Sequence, residues 1–386
     1  MFKKRHWDNY KTLMLLFLCL ERGWMVAQPL VLSDNVTIEN KSSFNYVKKV
    51  IAIPWPKVKC KSFFANPGMV KILDAATKNE VPWQLEYNGE DTIQNLLVQV
   101  SVKPKSSIRL FFKMGKHGPF KPKVYGRFVP ERKGDFAWEN DKIAFRMYGK
   151  ELEKTPAENA YGIDVWVKRT DRLILNERYK RGEYHVDHGD GLDYYHVGFT
   201  LGAGNCMPNV GDSIYYSKNY TSYTILDSGP LRTSFQLHYS PWDVAGKMVT
   251  CTKTISLDAG AQLNRIAVAY SYDGTADLPL VVGIIKRPNP GVVLLDEQQG
   301  ILGYWEPQHG EDGTTGVGCI IPSPVKETKV NGKQLLAFTS VKKDQPFVYY
   351  SGAVWNKAGS ITTANQWLDY LKAQQKARVD DGIEIK

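Results

Sequence analysis

Val249-Thr-Cys-Thr-Lys-Thr-Ile-Ser-Leu257 and Asn264-Arg-Ile-Ala-Val-Ala-Tyr-Ser-Tyr272 are the two stretches that decide the fold. In both, apolar and polar side chains alternate, so every second residue lies on one face of an extended strand. The short link Asp258-Ala-Gly-Ala-Gln262 contains glycine, which is typical of a turn between antiparallel strands. The two stretches therefore predict neighbouring strands that share one buried face.

The same alternation recurs along most of the chain, and helical patterns are rare. We expect further strands over 142–148, 163–167, 231–239, 347–350 and 352–355. Only 363–378 has a clear helical pattern, formed by Ala364, Trp367, Leu368 and Leu371. Because strands do not alternate with helices, the pattern argues against a parallel α/β fold.

The segments divide into two units of different size. Residues 28–125 predict a small N-terminal β domain together with a linker rich in Gly, Pro and Lys, which runs from Lys113 to Tyr125. Residues 126–386 predict a large antiparallel β-sandwich with a C-terminal helix. This unit is too long for an immunoglobulin-size module. The predicted fold class is therefore mainly β.

Residues 1–27 predict a signal peptide. Lys3, Lys4 and Arg5 form a basic start, and the apolar stretch Leu13 to Leu20 follows. This stretch is too short for a stable transmembrane anchor, which needs about 20 residues. Cys19 lacks the small preceding residue of a lipidation site. We therefore expect an exported protein, periplasmic or secreted, rather than a lipoprotein.

The charge balance bears on the partner. The formal net charge is +10 at pH 7, and it stays positive without residues 1–27. A positive balance is compatible with a polyanionic ligand. In an exported protein, a uronic-acid or sulfated polysaccharide fits better than nucleic acid, which we do not expect as a partner.

Four cysteines follow the predicted signal peptide: Cys60, Cys206, Cys251 and Cys319. None forms a C-x-x-C pair, so a zinc ribbon and a thioredoxin-type motif are excluded. We expect free and mostly buried thiols.

One segment is dense in titratable side chains: Tyr184-His-Val-Asp-His-Gly-Asp-Gly-Leu-Asp-Tyr-Tyr-His196. Gly189 and Gly191 interrupt any regular strand, so the segment predicts a loop. Polar groups buried there without partners would cost about 1–3 kcal/mol each. They therefore either face solvent in an ordinary turn or form a network at a functional site, and loops carry such sites often.

Several longer motifs resemble the Bacteroidota domain-of-unknown-function family 4861 (DUF4861). They are Asn159-Ala-Tyr-Gly-Ile-Asp-Val-Trp-Val-Lys168, His188 to Gly198, Thr200-Leu-Gly-Ala-Gly-Asn205, Gly303-Tyr-Trp-Glu-Pro307 and Tyr349-Tyr-Ser-Gly-Ala-Val-Trp355. The resemblance implies a glycan context, because the family accompanies enzymes that degrade pectin-like acidic polysaccharides. It does not imply a reaction. The strand order is also similar to the galactose-mutarotase-like supersandwich of several polysaccharide lyases.

Several chemistries fit the 184–196 segment. In β-elimination on a uronate, His185 or His188 would be the base and Tyr194 or Tyr195 the acid. The substrate carboxylate would be held by Arg146, Arg232 or Lys286.

In hydrolysis, Asp190 or Asp193 would act together with Glu306 or Glu311. A sugar mutarotase or epimerase would use a His and a carboxylate. A non-catalytic glycan-binding or accessory protein is the alternative from another class.

The remaining candidates are predicted to bind substrate. Trp305 would stack on a sugar, with Glu306 and His309 beside it, and the other candidates are Asn159, Tyr161, Asp164, Trp166, His196 and His238. No cofactor is expected. A divalent metal is an open option, bound by His185 and His188 with a nearby Asp, or as Ca²⁺ through the oxygens of the Asp-rich loop.

Overall fold

The structure is a computed structural model that describes residues 35–59, 61–380 and 382–386. The predicted signal peptide, residues 1–27, and Cys60 lie outside the described residues. Within them the sheets are antiparallel and a long helix lies near the C-terminus. The predicted mainly β sandwich with a C-terminal helix is therefore confirmed.

The small unit is a sandwich of two sheets. Its strands are β1 (Asn35–Asn40), β2 (Tyr46–Pro54), β3 (Val70–Asp74), β4 (Trp83–Glu86), β5 (Asn95–Val102) and β6 (Ser106–Met114), joined by β24 (Ile383–Ile385). The sheet orders are β24-β1-β6-β3 and β2-β5-β4. The predicted division assigned everything up to residue 386 to the large unit. Instead, β24 returns to pair with β1, where it covers an otherwise open sheet edge.

The large unit contains the other strands and both α-helices. They are β7 (Val124–Val129), β8 (Asp135–Asn140), β9 (Ile143–Met147), β10 (Asp164–Val167), α1 (Leu175–Arg181), β11 (Ala203–Val210), β12 (Ser213–Ile214), β13 (Ser222–Ser228), β14 (Arg232–Val244), β15 (Lys247–Asp258), β16 (Leu263–Tyr272), β17 (Leu278–Ile285), β18 (Val292–Asp296), β19 (Ile301–Trp305), β20 (Thr315–Ile320), β21 (Glu327–Asn331), β22 (Gln334–Val341), β23 (Pro346–Trp355) and α2 (Ala364–Val379). Residues 347–350 and 352–355, predicted as two strands, form the single strand β23.

These strands make two layers. One layer is the eight-stranded sheet β13-β14-β15-β16-β23-β20-β19-β18. The other consists of the sheets β10-β9-β8-β7 and β12-β11-β17-β22-β21, which meet at a bridge between Ile163 and Gly202. The alternating residues of β15 and β16 place their apolar side chains in the core between the layers. Period-2 alternation therefore identified the buried face correctly.

Helix α2 covers the outer face of the eight-stranded sheet. Thr363 and Gln366 form a capping box at its start. Trp367 and Leu371 are fully buried against β19 and β20. Gly318 on the sheet leaves room for the helix because it has no side chain. A Cβ added there would lie 2.5 Å from a methyl group of Leu371.

The small unit is hydrogen-bonded to the β13–β14 hairpin of the large one. The side chain of Gln84 accepts from the backbone N–H groups of Leu231 and Arg232 at 2.9 and 2.8 Å. Arg232 also forms ion pairs with Glu86 at 2.8 Å and with Asp258 at 2.6 Å. Charged and amide groups thus fix the two units together.

Cys206, Cys251 and Cys319 are free and buried, as expected for core thiols. Among the helices of the described residues, none is long and apolar enough to cross a membrane.

Candidate functional site

A surface groove of about 620 Å³ lies between two connecting segments. Residues 148–161 link β9 to β10, and residues 184–199 lie in the connection from α1 to β11. Arg132 and Arg146 complete the lining. The groove therefore opens at one end of the sandwich, where irregular backbone leaves the strands.

The floor of the groove is a charged cluster around Arg146, which we call the floor cluster. Arg146 is only 5% exposed, and its Nη2 lies 2.6 Å from Asp164 and 3.2 Å from Asp193. Its Nη1 lies 3.8 Å from Asp135. Strand pairing sets this geometry, since Asp164 on β10 lies directly opposite Arg146 on β9.

The floor cluster holds more carboxyl groups than one guanidinium can neutralise. Burial raises the pKa of Asp135 to about 6 and also raises that of Asp164. Burial, followed by the negative charge of Asp164, raises the pKa of Asp193 well above its usual range. The cluster therefore retains a proton that isolated carboxyl groups would release.

Aromatic rings surround the floor cluster. The Arg146 guanidinium lies 5.0 Å from the ring of Tyr148 and 5.1 Å from that of Trp166. Tyr184 stacks on Trp166 with ring centroids 4.8 Å apart. Trp166 is fully buried, so it supports Tyr184 and Arg146 from beneath the groove.

His185 is exposed at the rim of the groove. Its Nδ1 lies 2.7 Å from the backbone carbonyl of Asp193. A carbonyl oxygen only accepts hydrogen bonds, so Nδ1 carries the hydrogen. When the ring is neutral, Nε2 is then the atom with a free lone pair.

Arg132 and Tyr184 lie together on the same wall. The Nε of Arg132 donates to the hydroxyl of Tyr184 at 3.2 Å, and its Nη2 lies 3.2 Å from Glu158. The remaining Nη1 has no hydrogen-bond partner among the described residues. The Nη1 atom is itself buried, so Nη2 and its rim partner Glu158 are what Arg132 offers to a ligand in the groove.

Neither of the predicted acids, Tyr194 and Tyr195, offers a free hydroxyl to the groove. The Tyr194 hydroxyl bonds to Thr315 at 2.6 Å, and its ring stacks on His309. Tyr195 is 2% exposed, and its hydroxyl is buried. Burial raises the pKa of both phenols, which makes them poorer acids.

A buried ion pair supports the wall that carries His196. Arg287 donates to Glu306 at 2.8 Å and to the backbone carbonyl of His196 at 2.6 Å. Its guanidinium also lies 4.6 Å from the ring of Tyr195. Burial raises the pKa of Glu306 to about 7, despite the opposing charge of Arg287. Glu306 therefore acts on the groove through Arg287.

The outer half of the 184–196 segment serves as an anchor. Arg178 of α1 is fully buried and donates to the backbone carbonyls of Val167 and Asp190 at 3.0 Å. Gly191 passes so close that an added Cβ would lie 2.2 Å from the Val167 carbonyl. Asp190 also lies 3.4 Å from Arg178, so it fixes the loop to α1.

The predicted site residues separate into two groups. Those that line the groove are Arg146, Asn159, Tyr161, His185, Asp193, Tyr194, Tyr195 and His196. Asp164 and Trp166 lie directly beneath it, and His309 and Glu306 contact or support its lining residues. The others lie elsewhere.

Each of these others has a different local role. His188 faces Glu183 at 3.4 Å on the outer side of the loop. Arg232 joins the two units, and His238 faces Thr224 and Thr252 on the eight-stranded sheet. The backbone of Lys286 pairs with Lys333 at the end of β17. Trp305 packs with Trp367 of α2, because it points to the opposite side of β19 from Tyr304.

Among the groove residues with no role assigned from the sequence are Arg132, Tyr148, Tyr184 and Phe199. Phe199 is 69% exposed and packs edge-on against Tyr161, with ring centroids 5.5 Å apart. The sequence around Phe199 does not show that its ring is exposed, because a phenylalanine among other apolar residues is equally typical of a buried strand. Tyr184 lies in the 184–196 segment, so its position in the sequence already indicated a place near the site.

The described residues contain no group of three or more His, Cys, Asp or Glu side chains arranged to hold a metal ion. His185 and His188 face different partners, Asp193 and Glu183. Where Asp135, Asp164 and Asp193 converge, the guanidinium of Arg146 already occupies the position that a cation would take.

Two solved structures resemble this fold. A protein in glycosyl hydrolase family 38 from Enterococcus faecalis matches with a TM-score of 0.50 and 11% identity, over 91% of this chain and 47% of that chain. An alpha-mannosidase from Enterococcus faecalis V583 matches with a TM-score of 0.49 and 11% identity, over 91% and 45%. The chain thus spans less than half the length of these proteins. At this identity the likeness concerns the fold alone.

Sequence comparison goes further. The uncharacterized protein P7 of Formosa agariphila is 34% identical over 321 residues, which cover 78% of this chain and 80% of that protein. A sequence model described as a domain of unknown function, DUF4861, matches residues 38–381. With nearly all of the described residues inside that match, the chain belongs to the DUF4861 family.

Proposed function

We propose that this is an exported, carbohydrate-active protein that cleaves uronate-containing oligosaccharides by β-elimination. The observation that carries the proposal is the grouping of Arg132, Tyr184 and His185 on one wall of an aromatic-rich groove. This grouping supplies the three functions that elimination requires: a cation for the carboxylate, a base and an acid.

Arg132 is suited to the substrate carboxylate. Its Nη2 contacts a glutamate at the rim of the groove, Glu158, that a substrate carboxylate can replace. A hydrogen bond from a guanidinium to a carboxylate is charge-assisted and is about twice as strong as one between neutral groups. Neutralising that carboxylate also lowers the cost of removing the proton on the adjacent carbon.

His185 and Tyr184 are suited to the proton transfers. In the proposed step, Nε2 of His185 removes the proton on C5, the electron pair forms the C4–C5 double bond, and the C4–O bond breaks. Tyr184 accepts from Arg132 and so keeps its own hydrogen to donate to the leaving oxygen. The two rings are neighbours, with centroids 4.6 Å apart.

Hydrolysis is the second candidate, and Asp193 favours it. Asp193 lines the groove, and its raised pKa suits a general acid. A glycosidase also needs a second carboxylate across the bond. Asp164 and Glu306 do not line the groove, so that role would fall to Glu153 or Glu158, which do.

The test compares His185→Gln with His188→Gln on oligogalacturonides and glucuronate-containing oligosaccharides. His188 is a matched control, because it lies on the same loop but outside the groove. Elimination creates an ultraviolet-absorbing double bond conjugated to the carboxylate. We expect H185Q to lose about 100-fold or more of this activity, and H188Q to keep it.

The other outcomes separate the remaining hypotheses. Full turnover by H185Q would refute the assigned base. New reducing ends without ultraviolet absorbance would indicate hydrolysis. Oligosaccharide binding without any product would indicate a non-catalytic accessory protein.

A further inference from the structure

A second cleft of about 540 Å³ lies where the small unit, the eight-stranded sheet and helix α2 meet. Its walls come from residues 44–50, residues 256–265 with Tyr350, and residues 370–378 of α2. It shares no lining residue with the groove. A ligand in the cleft would therefore not compete directly with one in the groove.

The cleft is rich in positive charge. Lys48, Arg265 and Arg378 line it, and none of the three forms an ion pair within the described part of the chain. Arg232 also lines it but is neutralised by Glu86 and Asp258. Asp258 is the carboxylate among the lining residues and is paired with Arg232, so the remaining cations are in excess and favour an anionic ligand.

Arg265 belongs to an ordered row on the outer face of the sheet. Ser256, Arg265 and Tyr350 lie opposite one another on β15, β16 and β23, so their side chains share one face. The guanidinium of Arg378 lies 4.0 Å from the ring of Tyr350 and donates through Nη1 to Gln374. The ring of Tyr350 and the backbone carbonyl of Gln374 together fix the position of the Arg378 guanidinium.

Aromatic rings stand beside these cations. Tyr370 and Phe44 are half-buried in the walls, and Tyr370 stacks on Trp367 at 5.5 Å. The buried hydroxyl of Tyr46 has no hydrogen-bond partner among the described residues. A small inorganic anion would use the cations alone. An acidic sugar would use both the cations and the ring faces.

We propose that this cleft is a second glycan-binding site, which holds a carboxylated or sulfated oligosaccharide segment away from the groove. Its volume suits several sugar residues rather than a single ion. The inference rests on the substrate class of the proposed function but not on the proposed reaction.

The test measures binding of the full chain to oligogalacturonide by calorimetry, with Arg265→Glu as the main variant. Arg265 is exposed and forms no ion pair with any residue that the structure describes, so its substitution should leave the fold intact. Lys372→Glu is the matched control, since Lys372 is exposed on α2 and does not line the cleft. We expect R265E to weaken the cleft affinity about ten-fold or more and K372E to leave it unchanged.

Arg378→Gln provides a second variant, with the same expected loss and a thermal unfolding scan to verify the fold. Wild-type binding by both R265E and R378Q would overturn the proposal. Equal affinity for inorganic sulfate and for the oligosaccharide would reduce the site to an ion site and overturn the glycan assignment. H185Q should bind at the cleft normally, so a failure of the proposed reaction is distinguishable from a failure of this site.

Discussion

Replacing Glu306 by Gln should change how the stability of this protein depends on pH. Glu306 is 5% exposed and lies beside Arg287. Burial, its largest perturbation, raises its pKa from 4.5 to about 7. The folded protein therefore holds this proton more tightly than the unfolded chain does.

The sign and size of the effect follow from this difference. The contribution of Glu306 to stability is complete below about pH 4.5 and is lost as the pH rises through about 7. At about 1.4 kcal/mol per pKa unit, the loss is roughly 3 kcal/mol. Glutamine keeps an oxygen for Arg287 but never ionises, so E306Q should lack this loss.

The assay is urea unfolding followed by tryptophan fluorescence between about pH 4.5 and 8. The free energy of unfolding of the wild type relative to E306Q should fall by roughly 3 kcal/mol across this range. Glu311→Gln is the control, because Glu311 is an exposed carboxylate five residues further along the same connection. Parallel pH curves for wild type and E306Q would refute the reasoning.

Three further outcomes are expected. Phe199→Ala removes a 69% exposed ring from the groove and should weaken oligosaccharide binding about three- to ten-fold in calorimetry, whereas Val186→Ala, 54% exposed on the same loop, should not. Trp367→Ala empties a fully buried site under α2 and should lower the free energy of unfolding by about 3–5 kcal/mol in urea. Arg232→Gln leaves two carboxylates unpaired between the units and should destabilise the protein by about 3 kcal/mol without changing turnover in the groove.

The local part of the fold could be predicted because its signal is short-range. The alternation in β15 and the Trp367–Leu371 pattern of α2 reflect which side of each element is buried. The pairing of β24 with β1 joins residues more than 340 positions apart. Its three residues have no distinctive pattern, so this pairing could not be predicted.

The sequence predicted which segment of the chain lies at the candidate site, but it did not predict which side chains meet there. Arg146 and Asp164 meet because of the register of β9 and β10, which periodicity does not specify. Arg232 and His238 alternate correctly on their strand, but their face is turned away from the groove. Alternation identifies which residues share a face, but it does not identify what that face is turned towards.

The density of polar side chains in the 184–196 segment has two separate causes. Asp187 and Asp190 bond to backbone and to arginines outside the groove, so they hold the loop in place. Asp193 joins that anchor to the groove, because its N–H donates to the Tyr184 carbonyl at 2.7 Å and its own carbonyl receives His185. Its carboxyl group is meanwhile fixed by Arg146. The orientation of His185 therefore depends on the floor cluster. Replacing Arg146 should displace His185 through Asp193, although Asp193 and not Arg146 makes the hydrogen bond to the histidine.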